Sequence, residues 1–177
     1  DKHTSDFWVF EGVDGRDYAV TGTWGADGTS FFWDVTDPAN IKKIDSVKVD
    51  ARTVNDVKVS QDGRISVIGR EGASDRKNGI IILDVSNPYD VKILSEYTKN
   101  LTGGVHNVFI DNNHVYALSG SQRYFVINIE DPKNPVEVGM FEVGKEGQSI
   151  HDVWIEDGIA YSSNWRDGVY LVDVGNG

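Results

Sequence analysis

Two histidines and two aspartates occur at equivalent points of a recurring motif, and these residue types can bind a metal ion. His106 and His151 take the first position of the motif in two of its copies. Asp56 and Asp152 take the second position. Imidazole nitrogens combined with carboxylate oxygens suit a transition ion. The candidate metal ligands are therefore His106, His151, Asp56 and Asp152.

The same motif also has a structural interpretation, which we favour. A short acidic side chain that precedes a strand can accept backbone N–H bonds and fix the loop to the strand. A histidine beside it can tie one repeat to the next. No cofactor is required on this interpretation, and a divalent metal is kept as the alternative.

Two tryptophans at matching points of the sequence indicate contact with a ligand. Trp24 and Trp165 each stand where the second strand of a repeat is predicted to end. An exposed indole there could stack on a sugar ring, a proline of a peptide or a cation, whereas packing between repeats is the competing interpretation. The predicted ligand contacts are Trp24, Arg70, Glu71, Asn164, Trp165 and Arg166.

Motifs of the common enzyme classes are absent from the sequence. The chain contains no G-x-S-x-G segment, no His-Glu-x-x-His and no phosphate-binding P-loop. Its serine hydroxyls have no histidine placed by sequence to activate them. A non-enzymatic role is therefore favoured. The alternative is a divalent-metal-dependent hydrolase or lyase whose site lies at the axis of the repeats.

The motif recurs in four copies, which implies a repeat architecture. Its second position is occupied by Asp6, Asp56, Asn107 and Asp152, so successive copies begin about 45 to 51 residues apart. A period of this length, with several short strands in each copy, is typical of stacked or radial β architectures. Because one copy cannot bury both of its faces alone, the copies must pack against one another.

Each copy divides into short strands. Apolar and polar residues alternate with the period of a strand, and no window shows helical periodicity. Asp-Gly or Asn-Asn pairs separate the first two strands, and Asp-Pro or Asn-Pro follows the third because proline cannot donate to a ladder. The last copy stops after its third strand, which gives fifteen strands. Trp8, Trp33 and Trp154 lie within strands and are predicted to be core residues.

The loops of such a repeat fall on two different faces. In an up-and-down sheet of four strands, the start of the first strand lies beside the end of the second strand. The short Asp-Gly and Asp-Pro turns lie on the opposite face. Variable loops on a rigid scaffold usually carry binding, so the face with the recurring motif is the predicted site.

The third strand and the turn after it resemble the LVIVD repeat family of bacterial and archaeal β-propeller-like proteins. The matching segments are residues 32–38, 81–88 and 170–174, and His151-Asp152-Val153 resembles the opening of the same repeat. The third copy departs from the pattern, because Asn107 and Asn128 replace aspartate. The resemblance implies a propeller fold and an exported or surface-attached protein. It implies no activity, since most members of the family have none assigned.

Composition excludes several classes of partner. The 177 residues include 28 Asp plus Glu against 17 Lys plus Arg, for a net charge of −11. Such a chain does not suit a nucleic-acid backbone or an anionic membrane surface, which require clustered Lys and Arg. Cysteine is absent, which excludes disulfides and thiolate metal sites. No stretch approaches the roughly 20 apolar residues of a membrane-spanning helix.

Together these features predict an all-β protein, a β-propeller with four-stranded antiparallel blades, in a partial ring of about four blades. A single domain is expected over residues 1–177, with repeats at 5–50, 54–99, 105–144 and 150–177. We expect it to be a fragment of a larger propeller. The expected role is an extracytoplasmic scaffold, periplasmic, cell-surface or secreted, that binds a protein or small ligand through the predicted site face. A protein partner or a larger assembly is expected, without nucleic acid.

Overall fold

The computed structural model describes residues 2–144 and 148–177, and this part of the chain contains strands and loops without a helix. The fifteen strands are β1 (His3–Glu11), β2 (Asp17–Trp24), β3 (Thr29–Asp34), β4 (Lys42–Lys48), β5 (Thr53–Val59), β6 (Ile65–Glu71), β7 (Gly79–Asp84), β8 (Lys92–Tyr97), β9 (Val105–Asp111), β10 (His114–Ser119), β11 (Arg123–Asn128), β12 (Val136–Glu142), β13 (Ile150–Glu156), β14 (Ile159–Asn164) and β15 (Gly168–Asp173). None of the described segments could cross a membrane as an apolar helix. The all-β prediction is confirmed.

Consecutive strands pair antiparallel within each repeat. Repeat 1 comprises β1–β4, repeat 2 comprises β5–β8, repeat 3 comprises β9–β12 and repeat 4 comprises β13–β15. Repeats 3 and 4 form separate sheets of four and three strands. Repeats 1 and 2 join into one eight-stranded sheet through the pairing of Thr23 with Val54. The start of β1 thus lies beside the end of β2, with His3 opposite Trp24.

The Asn-Asn and Asp-Gly pairs form hairpin turns where the sequence predicts them. Asn112 and Asn113 both adopt positive φ, 44° and 59°, which is the geometry of a two-residue hairpin that matches the twist of its strands. In this backbone region asparagine is tolerated far better than branched side chains. The Asn-Asn pair therefore closes the β9–β10 hairpin as Asp157 and Gly158 close β13–β14.

An acid or amide at the end of every third strand forms a local turn. The side-chain oxygen of Asp84 accepts the N–H of Ser86 at 2.9 Å, and Asn128 accepts the N–H of Glu130 at 2.9 Å. Asp34 and Asp173 make the same bond to the residue two positions on. An amide oxygen and a carboxylate oxygen serve equally in such a turn, which explains why Asn128 can replace aspartate.

Three apolar cores lie between successive repeats. The first joins repeats 1 and 2, with Phe32 and Ile81 among its buried residues. The second joins repeats 2 and 3, and the third joins repeats 3 and 4. Alternate residues of each inner strand face opposite cores, since side chains alternate across a sheet. Each repeat therefore depends on its neighbours for burial.

Aromatic rings meet where first strands of different repeats approach one another. Phe109 of β9 lies 4.7 Å from Trp154 of β13 and 6.4 Å from Trp8 of β1, measured between ring centroids. The Nζ atom of Lys58 on β5 stands 5.1 Å from the centroid of Trp8. The prediction that Trp154 is a core residue is wrong, because 49% of it is exposed. It lies on the side of repeat 4 turned away from the third core, where the rings of Phe109 and Trp8 cover only part of it.

Candidate functional site

Three repeats contribute to a cleft on the predicted site face. The cleft has a volume of about 460 Å³ and is lined by Glu71, Gly103, Gly104, His106, Leu118, Gly120, Ser121, Ile150, His151 and Trp165. Glu71 ends β6 in repeat 2, His106 belongs to β9 in repeat 3, and His151 belongs to β13 in repeat 4. Residues far apart in the chain therefore converge at one opening.

His106 is held by two side chains of repeat 2. Its Nδ1 atom lies 3.2 Å from Oε1 of Glu71 and 3.1 Å from Nδ2 of Asn55. The same Asn55 amide donates to the backbone oxygen of His106 at 2.7 Å. A histidine beside the recurring acid was expected to tie one repeat to the next, and these contacts join β5, β6 and β9.

Aromatic rings form one wall of the cleft. The ring centroids of His106 and His151 are 5.4 Å apart, and those of His151 and Trp165 are 4.2 Å apart. Trp165 follows β14, and 65% of it is exposed. An exposed indole beside two imidazoles offers flat apolar surface together with nitrogen donors and acceptors.

Glycines form part of the cleft that sequence reasoning missed. Gly104 has a φ of 94°, and a Cβ atom there would come within 3.3 Å of the Glu71 side chain. Glycine thus lets the loop before β9 pass close to Glu71. The Gly103-Gly104 pair directly before the recurring motif was the available signal, because paired glycines mark a close backbone approach.

The charge of Glu71 favours the protonated form of His106. The hydrogen bond that His106 donates to Glu71 raises the pKa of His106 above its ordinary value. Burial acts against this, and the charges of Glu71, Asp56 and Asp152 add to the increase. A cationic imidazole at neutral pH would be a donor from both ring nitrogens.

Asp56 is buried beneath this region and is bound by other groups. Its Oδ2 accepts the N–H of Val108 in the next repeat at 2.7 Å, and its Oδ1 accepts the N–H of Val57 at 3.0 Å. Lys58 bridges Asp56 and Asp6 with Nζ–O distances of 2.5 and 2.9 Å. These contacts are the ones expected of an acid that fixes a loop to its strand, and Asp56 is only 2% exposed.

The fold does not bring all four predicted metal ligands together. His106 and His151 lie together, whereas Asp56 is engaged with Lys58 and backbone groups. Asp152 accepts the N–H of Val153 at 2.7 Å. Within residues 2–144 and 148–177, no three His, Asp or Glu side chains are arranged to hold a metal ion. The histidine pair is the part of the predicted set that the fold assembles.

The predicted ligand contacts also separate into two groups. Glu71 and Trp165 line the cleft, whereas Trp24 lines a different depression with Lys2 and His3. The guanidinium of Arg70 is buried, donates to the backbone oxygen of Asn78 at 2.7 Å and pairs with Glu96. Arg70 is 3% exposed, and its contacts support the loop after β6.

Asn164 and Arg166 flank Trp165 but do not line the cleft. Asn164 is 9% exposed, and its amide oxygen and nitrogen have no protein hydrogen-bond partner among the described residues. Arg166 is exposed to solvent. The strand position of Asn164 orients its side chain inward, since side chains alternate along β14.

The fold is shared with known β-propellers. No protein-family model and no curated protein matches the sequence. Over 98% of its length the chain aligns with 54% of the β-propeller domain of Cps50 (Swd1) from Myceliophteria thermophila, with a TM-score of 0.71 and 16% identity. A hypothetical selenium-binding protein from Sulfolobus tokodaii aligns with 98% of this chain over 48% of its own, with a TM-score of 0.66 and 15% identity.

A designed protein shares the fold as well. The computationally designed Ika4 protein aligns over 89% of this chain and 86% of its own, with a TM-score of 0.60 and 16% identity. Identities this low establish the fold alone. The chain therefore has a β-propeller-type fold, and it spans about half the length of the Cps50 and Sulfolobus chains that it matches.

Proposed function

We propose that this protein is a non-enzymatic propeller scaffold that binds a small ligand or a protein segment in the cleft between repeats 2, 3 and 4. The observation that supports this is the convergence of Glu71, His106, His151 and Trp165 from three repeats on one exposed opening. Strands and cores fix the positions of these side chains, and little ordering cost is left for binding. The role of the repeats is thus to present a preformed site.

The chemistry of the cleft indicates the kind of group that it would bind. Trp165 and His151 present ring faces on which a flat or cyclic group can stack. His106 and Glu71 present a donor and an acceptor beside them. A sugar ring, a proline of a peptide or an organic cation bearing polar groups fits this combination.

Intrinsic tryptophan fluorescence and NMR titration with these three classes of compound test the proposal. We expect at least one class to bind, and Trp165→Ala to weaken that binding roughly tenfold or more, since exposed aromatic anchors dominate interface energy. Trp24→Ala is the matched control, because Trp24 is 56% exposed but lies outside the cleft. Equal losses in both variants, or binding indifferent to Trp165, would contradict the proposal.

A second candidate is the divalent-metal-dependent hydrolase or lyase. The proximity of the His106 and His151 rings, 5.4 Å between centroids, favours it because imidazoles are common ligands of transition ions. Glu71 would be the carboxylate in contact with His106, whereas Asp56 is engaged by backbone groups and Lys58 through both of its oxygens. The ion would supply Lewis-acid polarisation of a bound oxygen.

Calorimetry with Zn²⁺ distinguishes this candidate from the scaffold. Stoichiometric binding that His151→Ala abolishes and His114→Ala preserves would support the metal site. His114 is a fitting control because it contacts Asn112 and Asn128 at the other end of the strands. Absence of Zn²⁺ binding by the wild-type protein would remove this candidate.

The scaffold proposal includes a finer description of the molecule. We infer that the repeats are propeller blades of four strands, that about four of them form part of a ring, and that the protein is a member of the LVIVD repeat family with an extracytoplasmic location. The repeated third strands and Asp/Asn-Pro turns support this assignment. Fractionation of cells that produce the native protein tests the location, and recovery in the cytoplasm would contradict it.

A further inference from the structure

The two ends of the repeat array carry apolar sheet faces that lie outside the three cores of the described chain. The leading face is the side of β1–β3 turned away from repeat 2, and it presents Phe7, Val9, Phe31 and Trp33. The trailing face is the side of β13–β15 turned away from repeat 3, and it presents Trp154, Tyr161, Val169 and Leu171. Phe7 is 62% exposed and Leu171 is 68% exposed.

The leading face uses positions that are buried or, at Ile110, half-buried in the other repeats. Phe7 is the register equivalent of three core valines, which are 0%, 0% and 2% exposed: Val57, Val108 and Val153. Val9 is 53% exposed, whereas its equivalents Val59 and Ile155 are 5% and 4% exposed. In repeats 2 to 4 these positions pack against the preceding repeat. The leading face is therefore built to receive the trailing side of another repeat.

The trailing face shows the reciprocal pattern. The equivalents of Leu171 in the other third strands are 0%, 0% and 6% exposed: Phe32, Ile82 and Val126. The equivalents of Tyr161 in the other second strands are 0%, 0% and 1% exposed, against 39% for Tyr161 itself: Val20, Val67 and Tyr116. These positions contact the following repeat in the three cores. The trailing face thus matches the leading side of a repeat of the same kind.

We propose that a second copy of this chain covers both faces, with the trailing face of each copy packed on the leading face of the other. A two-fold axis then creates two identical contacts and completes a ring of repeats. The span of the chain agrees with this arrangement, because it aligns with 54% of one propeller domain and 48% of another chain of that fold. Two copies together supply the length of a whole ring.

Charged side chains border the apolar part of both faces. The Nζ atoms of Lys2 and Lys43 stand 5.7 and 5.2 Å from the ring centroid of Phe31 on the leading face. The trailing side carries Asp152 and Glu156 in exposed positions of β13, beside Trp154. The lysines beside Phe31 can pair with the carboxylates beside Trp154, while Glu11 and Asp17 occupy the other end of the leading face.

Sedimentation analysis of the 177-residue chain over a wide concentration range tests the inference. We expect a species of twice the chain mass of 19.6 kDa at high concentration. Phe7→Glu and Leu171→Glu should each weaken the dimer roughly a hundredfold or more, because each places a charge in an apolar contact. Ile93→Glu is the matched control, since Ile93 is 53% exposed on β8 of an interior repeat.

Mixing the two variants distinguishes the ring from other dimers. A copy with Phe7→Glu keeps a native trailing face, and a copy with Leu171→Glu keeps a native leading face, so the mixture should recover one intact contact and dimerise. Val9→Glu and Val169→Glu replace any variant that circular dichroism shows to be unfolded. A monomeric wild type, open polymers that grow with concentration, or a mixture that stays monomeric would each overturn the proposal.

Discussion

At the scale of single residues, the cleft depends on a histidine whose charge is set by one glutamate. Glu71 ends β6 and His106 begins the next repeat, and their contact of 3.2 Å crosses from one repeat to another. A raised pKa keeps the imidazole protonated to higher pH. The stabilisation that the His106–Glu71 pair gives the folded state is then complete below the ordinary histidine pKa. It is lost as pH rises through the raised pKa of His106.

Replacing Glu71 tests this electrostatic control directly. Glu71→Gln should lower the pKa of His106 toward the ordinary value of 6.5, because the neutral amide no longer favours the imidazolium. An NMR titration of the histidine ring signals measures the change. Glu96→Gln is the control, since Glu96 pairs with Arg70 instead. An unchanged His106 titration in Glu71→Gln would show that Glu71 does not set its charge.

The turn after each third strand supplies a second prediction for a single residue. Asp84→Ala should lower the free energy of unfolding by about 1 kcal/mol, because it removes the acceptor for the N–H of Ser86. Asp84→Asn should cost far less, since Asn128 makes the equivalent bond in repeat 3. Urea unfolding of the two variants measures the difference, and equal losses would refute the role of the side-chain oxygen.

Sequence reasoning predicted the face on which the cleft opens but not every residue that forms the cleft. The recurring motif predicted that His106, His151 and Trp165 lie on one face, because the topology of a repeat brings these loops together. It could not predict that Arg70 is buried, since the position of a strand end does not reveal whether a partner such as Glu96 draws the side chain inward. Contacts between strands of the folded repeat decide that outcome.

At the scale of strands, the acid of the recurring motif links the first strands of neighbouring repeats. Asp56 accepts the N–H of Val108 on β9 and contacts Lys58 on its own strand. Burial raises the pKa of Asp56 to about 8, the hydrogen bond with Asp6 acts in the same direction, and Lys58 opposes both. The pKa of Asp6 is lowered; burial would raise it, but hydrogen bonds to Asp56 and Lys58 and the charge of Lys58 outweigh that effect.

A pH dependence of stability follows from the raised pKa of Asp56. Between its ordinary value of 3.8 and about 8 the folded protein retains a proton that the unfolded chain has released. The free energy of unfolding should therefore fall as pH rises across this window, by at most about 1.4 kcal/mol per pH unit, and level off above it. Asp56→Asn should lack this component. Parallel pH profiles of the wild type and the variant would contradict the assignment.

Strand positions were predictable because short-range chemistry determines them. Alternating side chains and the Asp-Gly, Asn-Asn and Asp-Pro turns indicated fifteen strands, and the described residues contain fifteen. The exposure of Trp154 was not predictable, because alternation assigns a residue to a face and only a neighbouring repeat can cover that face. The same reason explains why Phe7 and Leu171 are exposed although their equivalents are buried.

At the scale of the whole molecule, repeat 4 is expected to be the least stable of the four repeats. It has three strands, and within the described structure one of its faces packs against repeat 3 while the other is exposed. Tyr170 and Val172 on its outermost strand are only half-buried. Repeats that contact only their neighbours lose stability at the ends of the array.

Hydrogen exchange should reveal this gradient in the Leu171→Glu variant, where the proposed second copy is absent. Amides of β13–β15 should exchange earlier than those of β5–β7, because opening repeat 4 breaks one core while opening repeat 2 breaks two. Mass spectrometry of peptic fragments resolves the two regions. Simultaneous exchange of both regions would indicate that the four repeats unfold as one unit.

The tryptophans that lie together at the first strands provide an intrinsic spectroscopic probe of the repeat array. The indoles of Trp8 and Trp154 come from the first and last repeats and stand 6.3 Å apart at a tilt of 42°. Chromophores this close couple their electronic transitions, so widening of the array would diminish a near-ultraviolet circular dichroism couplet. Motion between the two extremities can thus be followed without an attached label.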